Sequence, residues 1–92
     1  MSWKVYLVRC QDGSLYTGIT SDLAKRMKQH REGNGSKYVR AKGYDELLYA
    51  IRANSKSEAL RTEHAVKQKS AAEKERFFEV HKNQVYRSPH LD

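Results

Sequence analysis

Two tyrosines near the start of the sequence and three ionisable side chains further on have the types and spacing that could support chemistry. An arginine and a histidine stand four positions apart on a predicted helix and therefore share one face. A glutamate on a later helix lies among apolar residues, where a carboxylate needs a cation, a metal ion or hydrogen-bond donors to offset its desolvation. These five candidates are Tyr6, Tyr16, Arg26, His30 and Glu63.

Four of the five candidates also have an ordinary structural interpretation. A tyrosine in a strand usually packs its ring and keeps its hydroxyl in water. Arg26 on a basic helix is typical of a solvated charge, and His30 lies where a helix C-terminal dipole favours a cation. Whether the candidates form one site depends on the elements that carry them.

The tyrosines lie in two predicted strands, about Trp3 to Cys10 and about Ser14 to Thr20, which are rich in aromatic and β-branched residues. The turn residues Gln11–Gly13 join them. Because side chains alternate between the two faces of a sheet, the register of this hairpin decides whether Tyr6 and Tyr16 share a face.

Two registers are possible. A two-residue turn at Asp12 and Gly13 would place Tyr6 opposite Ile19 and the two tyrosines on opposite faces. A three-residue loop would place Tyr6 opposite Gly18 and both tyrosines on one face, and it is favoured because Gly13 accepts left-handed backbone angles at no steric cost. Gly18 would then leave room beside the Tyr6 ring for a ligand or for close backbone approach.

A first helix is predicted over Leu23–Arg31, with N-cap candidates at Ser21–Asp22 and Gly33 as its stop. Ser36–Val39 is expected to form one short helical turn that ends by Gly43. The apolar run Glu46–Arg52 predicts a third strand.

The remaining sequence predicts two more helices. Ser55 with Glu58 matches a capping box, with Ser57 as a competing cap, and a second box at Ser70 and Glu73 starts a helix from Ala71 to about His81. The tail from Lys82 onward is expected to be weakly ordered. The second helix carries one face of Ala59, Leu60, Glu63, Val66 and Lys67, and the third buries Phe77, Phe78 and Val80 in part.

These elements describe an α/β fold of the α+β type. The order β-β-α-β-α-α predicts a small three-stranded antiparallel sheet flanked by helices. At 92 residues the chain fits one domain over 1–92, with an ordered core of about 3–81.

Composition narrows the class of partner. The chain has 18 Lys and Arg against 11 Asp and Glu, a net charge of +7, and such a field attracts polyanions, of which nucleic acid is the commonest in a cell. No apolar run is long enough for a membrane span or a signal peptide, so no membrane partner is expected. Cys10 is the single cysteine and is expected to be a small buried residue. A cytoplasmic location is predicted.

The motifs resemble those of a known family. Lys4–Tyr6 and Tyr16–Gly18 in adjoining strands, followed by Arg26, His30 and Glu63, are similar to the signature of the GIY-YIG nuclease superfamily, and more narrowly to its small stand-alone YhbQ-like bacterial proteins. The resemblance covers Trp3 to about Phe78.

The resemblance implies a metal-dependent DNA nuclease with one Mg²⁺ or Mn²⁺ ion and no small-molecule cofactor. It also implies a role in DNA repair. A phenol titrates near ~10, so a tyrosine base would need positive charge nearby. The implied roles are general base for Tyr6, hydrogen-bonding partner for Tyr16, phosphate clamp for Arg26, auxiliary acid or base for His30, and metal ligand for Glu63.

The sequence departs from the family in places. Lys4 and Val5 replace the glycine and isoleucine of the first signature, and Thr17 replaces the isoleucine of the second. An asparagine that many members carry shortly after the glutamate has no counterpart; Asn83 lies twenty residues beyond Glu63 and is assigned no role.

A DNA endonuclease or exonuclease is the first hypothesis. A nucleic-acid-binding module without turnover is the second, and a structural or partner-binding domain is the third. Basic residues interleaved with an aromatic suit phosphate contact and base stacking. The predicted DNA-binding residues are Arg9, Lys25, Lys28, Arg31, Lys37, Tyr38, Arg40 and Lys42.

Overall fold

The predicted order of elements is confirmed. The computed structural model describes residues 2–83, and the short helical turn expected near Ser36 is a full helix. The elements are β1 (Trp3–Cys10), β2 (Leu15–Thr20), α1 (Leu23–Arg31), α2 (Lys37–Lys42), β3 (Tyr44–Ala53), α3 (Lys56–Lys67) and α4 (Ala71–His81).

The three strands form an antiparallel sheet in the order β2-β1-β3, so β1 is central and β2 is an edge strand. The hairpin has the predicted three-residue loop: the Cys10 backbone N–H donates to the Ser14 carbonyl at 2.8 Å, and Gly13 has a φ of 87°. Tyr6 is therefore opposite Gly18, and Val8 is opposite Tyr16. Both tyrosines lie on one face.

The two faces of the sheet carry different cores. One face is aliphatic and packs on α3 and α4, with Leu7, Val66 and Phe78 at its centre. The other packs on α1 and α2 and contains Tyr6, Cys10, Met27 and Val39. Cys10 is buried, as predicted. This alternation along β1 gives each face its own core, and the first is mainly apolar, with Glu58 and Thr62 of α3 also buried.

Strand β3 is longer than predicted. It pairs with β1 from Trp3–Ala53 to Cys10–Tyr44, with register shifts near Leu7 and Arg9. These irregularities let the pairing continue two residues before Glu46. A single sequence carries no periodic signal for such bulges.

The helix starts are largely those predicted. The Ser70–Glu73 capping box forms completely. Ser55 caps α3 by accepting from the Glu58 backbone N–H, but the Glu58 carboxylate accepts from the Asn54 N–H at 3.0 Å instead of from Ser55. The box at Ser55 is therefore only half formed.

The predicted buried faces of α3 and α4 need correction. Leu60 is 45% exposed and Val80 is 62% exposed, so neither is a core residue, and Lys67 is exposed as well. The buried face of α3 is rotated toward Ala59, Thr62 and Val66 and includes Glu58, which is fully buried. The apolar spacing was compatible with either rotation, and packing against the sheet selects this one.

Within residues 2–83 no helix is long and apolar enough to cross a membrane. The predicted weakly ordered tail lies outside the described residues, except for Lys82 and Asn83.

Candidate active site

Tyr6 and Tyr16 meet above a glycine. Their ring centroids are 6.4 Å apart, and a Cβ built on Gly18 would lie 2.5 Å from the Tyr6 Oη and 3.0 Å from the Tyr16 ring edge. The room beside Gly18 that the sequence predicted is thus filled by the Tyr6 hydroxyl itself. Tyr6 is fully buried, whereas Tyr16, on the edge strand, is half-buried.

Helix α1 brings a histidine and an arginine to the same place, as their spacing predicted. The His30 Nε2 lies 2.8 Å from the Tyr6 Oη, and His30 is only 2% exposed. Arg26 donates from Nε to the Gln29 Oε1 at 3.1 Å and from Nη1 to the Ile19 carbonyl at 3.4 Å. These bonds hold the guanidinium near the end of β2.

The surroundings of Tyr6 set its protonation state. Burial raises the pKa of Tyr6 to about 12, and the charges of Tyr16 and Glu63 also raise it, while a hydrogen bond and positive charge from Arg26 lower it. Burial outweighs Arg26, so Tyr6 is a neutral phenol at pH 7. A buried neutral phenol is poorly suited to remove a proton directly from a solvent water, which is the role that the resemblance implied.

His30 is neutral at pH 7 as well. Burial, and then the charge of Arg26, lower its pKa below the usual value of 6.5. Its ring is stacked parallel to Tyr44 at 6.2 Å. A Cβ on Gly35 would overlap the His30 Nδ1, and among the described residues Nδ1 has no hydrogen-bond partner.

Glu63 reaches the same cluster from α3. Its carboxylate is linked to the Tyr16 ring through Lys67. Glu63 was predicted to lie in the middle of an apolar stripe but lies at its edge. Its side chain is 18% exposed, and its Oε2 is 3.4 Å from the Lys67 Nζ. The same Nζ lies 5.4 Å from the centre of the Tyr16 ring. Lys67 thus supplies a cation that the desolvation argument required.

Aromatic and basic side chains extend the cluster along the surface. Tyr38 is 40% exposed and stacks on Tyr16 with centroids 5.7 Å apart, and the Lys42 Nζ lies 5.7 Å from the Tyr38 ring centre. Tyr16 is therefore the inner ring of a solvent-facing aromatic pair.

Two depressions lie on either side of α1. One of about 380 Å³ is lined in part by Lys25 and Arg26. The other, about 410 Å³, includes His30, Arg31 and Arg40. A smaller hollow of about 250 Å³ adjoins the second and is lined by Lys37 and Arg40, among others. Four of the predicted DNA-binding residues, Lys25, Arg31, Lys37 and Arg40, therefore line these hollows, two of which also contain Arg26 or His30. Lys28 is exposed on α1.

Arg9 is engaged elsewhere. Its guanidinium forms ion pairs with Asp45 at 2.8 Å and with Glu46 at 2.6 Å, both on β3. Lys42 also has a carboxylate partner, Asp12, at 3.3 Å. The positive field of these two residues is locally neutralised.

The donor set limits which metal ion could bind. Within residues 2–83, His, Cys, Asp and Glu side chains do not gather in groups of three or more, as a tetrahedral zinc site would need. One partly buried carboxylate, Glu63, fits a hard cation such as Mg²⁺, which keeps several waters and takes few protein ligands.

Two residues of the cluster, Lys67 and Tyr44, were not predicted as site residues from the sequence. Lys67 stands four positions after Glu63, and this spacing alone could have paired them. Tyr44 stacks on His30 only because of the irregular pairing of β1 with β3, which leaves no sequence signal.

The comparisons with known proteins show the family. A sequence model of the GIY-YIG catalytic domain matches residues 2–76. The chain therefore belongs to the GIY-YIG family, a superfamily of the nuclease type.

Its relatives include small bacterial proteins. It is 49% identical to a UPF0213 protein of Cronobacter sakazakii over 79% of this chain and 77% of that one. It is 46% identical to the UPF0213 protein YhbQ of Salmonella typhimurium over 80% of this chain and 74% of that one. The solution NMR structure of the UPF0213 protein BH0048 from Bacillus halodurans is similar with a TM-score of 0.55 and 40% identity, covering 90% of this chain and 88% of that one.

Proposed function

We propose that the protein hydrolyses phosphodiester bonds of DNA with the help of one divalent cation, Mg²⁺ or Mn²⁺. The observation that supports this most is the geometry at the two tyrosines: the His30 Nε2 lies 2.8 Å from the Tyr6 Oη, and the Lys67 ammonium contacts both the Glu63 carboxylate and the Tyr16 ring. Proton-transfer, anion-binding and cation-binding groups thus adjoin one another beside a basic surface.

In this proposal the two tyrosines have different roles. Tyr16, which is half-buried, contacts and orients the water that attacks phosphorus. The water gives its proton to the Tyr16 hydroxyl oxygen as the Tyr16 proton passes to the Tyr6 oxygen and the Tyr6 proton passes to the His30 Nε2, 2.8 Å away, so both phenols stay neutral. His30 is the acceptor, because its imidazole is neutral at pH 7 and already 2.8 Å from that hydroxyl.

The remaining residues bind the reacting phosphate. Arg26 pairs with a non-bridging oxygen, for which a guanidinium held by Gln29 is well suited. Glu63 would hold the cation, which when bound would offset the charge that develops on the phosphoryl oxygens. The exposed Tyr38 ring and the basic side chains of α1 and α2 contact the DNA on either side.

The proposed function is tested by metal-dependent cleavage of labelled single-stranded, double-stranded and branched DNA. Replacing Glu63 by Gln should reduce the rate at least about 100-fold. Tyr16→Phe should cost about 100-fold and Tyr6→Phe about tenfold, since only Tyr16 meets the water. Glu79→Gln on α4 is the matched control, because Glu79 pairs with Lys82 and Tyr49 away from the cluster.

Cleavage that survives in Glu63→Gln at the wild-type rate would contradict the assignment of the metal ligand. A larger loss in Tyr6→Phe than in Tyr16→Phe would reverse the roles of the tyrosines and restore Tyr6 as the general base.

The second candidate is a DNA-binding module without turnover. The missing family asparagine and the neutral, buried Tyr6 favour it. Salt-dependent DNA binding with no cleavage in Mg²⁺ or Mn²⁺ by the wild-type protein would establish it in place of the nuclease.

A further inference from the structure

Lys67 occupies a position between two groups of the candidate site. Its Nζ is 3.4 Å from the Glu63 Oε2 and 5.4 Å from the centre of the Tyr16 ring. Its side chain is 47% exposed, whereas that of Glu63 is 18% exposed. The ammonium therefore approaches the carboxylate from the solvent side.

That approach is also the one open to a divalent cation. Because the inner side of Glu63 faces the protein, a hydrated ion must reach the carboxylate from solvent, where the Lys67 ammonium lies. Two cations held at one carboxylate repel each other, and more strongly at a protein surface than in bulk water. The ion and the ammonium therefore compete for Glu63.

We propose that Lys67 is the resident counter-ion of Glu63, that the divalent cation must displace it, and that the displaced ammonium then binds a DNA phosphate beside Tyr16. This inference rests on the proposed function, because it takes Glu63 to be the metal ligand. It adds Lys67 as a positioning residue, to which the resemblance to the GIY-YIG family assigns no role.

The second half of the proposal follows from how Lys67 is tethered. One turn of α3 separates it from Glu63, and the face of the Tyr16 ring attracts its ammonium. A displaced ammonium on this flexible side chain stays at the mouth of the site. It can then meet a phosphate oxygen next to the bond that is cut.

The test is Mn²⁺ binding to the intact protein without DNA, measured by the electron paramagnetic resonance signal of free Mn²⁺. Lys67→Met should bind Mn²⁺ about three- to tenfold more tightly than wild type, because the competing charge is gone. Lys67→Arg keeps the charge and should bind as wild type does. Lys56→Met is the matched control, since Lys56 lies 5.4 Å from the centre of the Trp3 ring, a similar contact away from Glu63.

DNA binding at saturating Mn²⁺, measured before cleavage proceeds, gives a readout of opposite sign. Lys67→Met should bind DNA about two- to fivefold more weakly. The slope of log affinity against log salt concentration should become shallower by ~0.9, which corresponds to the loss of one phosphate contact. A merely structural lysine would not tighten metal binding while weakening DNA binding.

Mn²⁺ affinity in Lys67→Met equal to or below that of wild type overturns the inference, and the proposed function then stands as long as Glu63→Gln loses Mn²⁺ binding. If Glu63→Gln binds Mn²⁺ as wild type does, Glu63 is not the ligand and both the inference and the metal assignment fall. Unchanged DNA binding in Lys67→Met overturns the phosphate contact alone.

Discussion

The two faces of the sheet come from the same strand but are built differently. Val5 and Leu7 of β1 face an aliphatic layer that closes on Val66 and Phe78. Tyr6, between them, faces the other layer, where its hydroxyl must find a partner and bonds His30. The aliphatic face is stabilised mainly by close packing, so substitutions that change side-chain volume should be costly there. The aromatic face depends instead on particular polar atoms. Stability should therefore reside mainly on the first face and activity on the second.

The largest expected effect lies on the aliphatic face. Phe78→Ala removes a fully buried ring and should lower the free energy of unfolding by about 3–5 kcal/mol, a large share of the total for a small domain. Urea unfolding measures it. Val80→Ala, on the same helix but 62% exposed, should change stability by less than about 0.5 kcal/mol. Equal losses in the two variants would show that this face is not the main source of stability.

The next effect concerns the contact between the tyrosines and Gly18. Gly18→Ala would place a methyl group 2.5 Å from the Tyr6 Oη, so the ring must move, at a cost of about 1–3 kcal/mol. Urea unfolding of Gly18→Ala, Tyr6→Phe and the double variant tests this. The Gly18→Ala cost should shrink in part in the Tyr6→Phe background, because the Oη is absent there while the ring Cζ, 2.6 Å from the added Cβ, remains. Strict additivity would contradict a direct clash with the hydroxyl.

Tyr6→Phe alone should separate stability from activity. Loss of the bond to His30 should cost about 1 kcal/mol, far less than Phe78→Ala, while cleavage falls. Because the folded pKa of Tyr6 is about 12, above the unfolded value near ~10, its contribution is present below pH ~10 and is lost as the pH rises toward 12. Absorbance titration at alkaline pH should show late-titrating phenol, and Tyr6→Phe should remove the part due to Tyr6 while leaving that of Tyr49, whose pKa is raised by its hydrogen bond to Glu79. An unchanged titration curve would contradict the burial argument.

The smallest effect is a dependence of stability on mildly acidic pH. The pKa of His30 is lowered by burial and by Arg26, so the folded protein binds fewer protons than the unfolded chain below pH ~6.5. Stability should be fully present above that pH and decline as the pH falls through the folded pKa. Unfolding midpoints measured from pH 7 to 5 test this.

Two variants separate the sources of the acid dependence. His81 has a pKa lowered by burial too, so His30→Gln and His81→Gln should each remove part of the dependence. A wild-type dependence that persists in full in His30→Gln would show that His30 is not buried in its neutral form.

Most of the fold could be predicted from the sequence because its signals are local. The odd loop with Gly13 fixed the register of β1 and β2, and Ser70 with Glu73 fixed the start of α4. Long-range packing was harder to predict. The rotation of α3 depends on which of two overlapping stripes meets the sheet, and spacing alone does not distinguish Leu60 from Thr62.

The candidate site was predictable in part for the same reason. Arg26 and His30 share a face by helical spacing, and the two tyrosines by strand parity. The protonation of Tyr6 was not predictable, because burial and positive charge act in opposite directions and only the packed structure shows that burial wins. The stacking of Tyr44 on His30 depends on irregularities in the pairing of β1 with β3 that no residue pattern predicts.

Helix α3 belongs to the aliphatic layer by its buried face, yet its edge carries Glu63 and Lys67 to the aromatic layer. The site is thus assembled from β1, β2, α1 and α3, which span both layers. A partly unfolded form in which α3 is detached would lose both the Glu63 carboxylate and the buried Val66 that packs on the sheet. The proposed activity should therefore report the cooperative folding of the whole domain, because one helix supplies a group to the site and a group to the core.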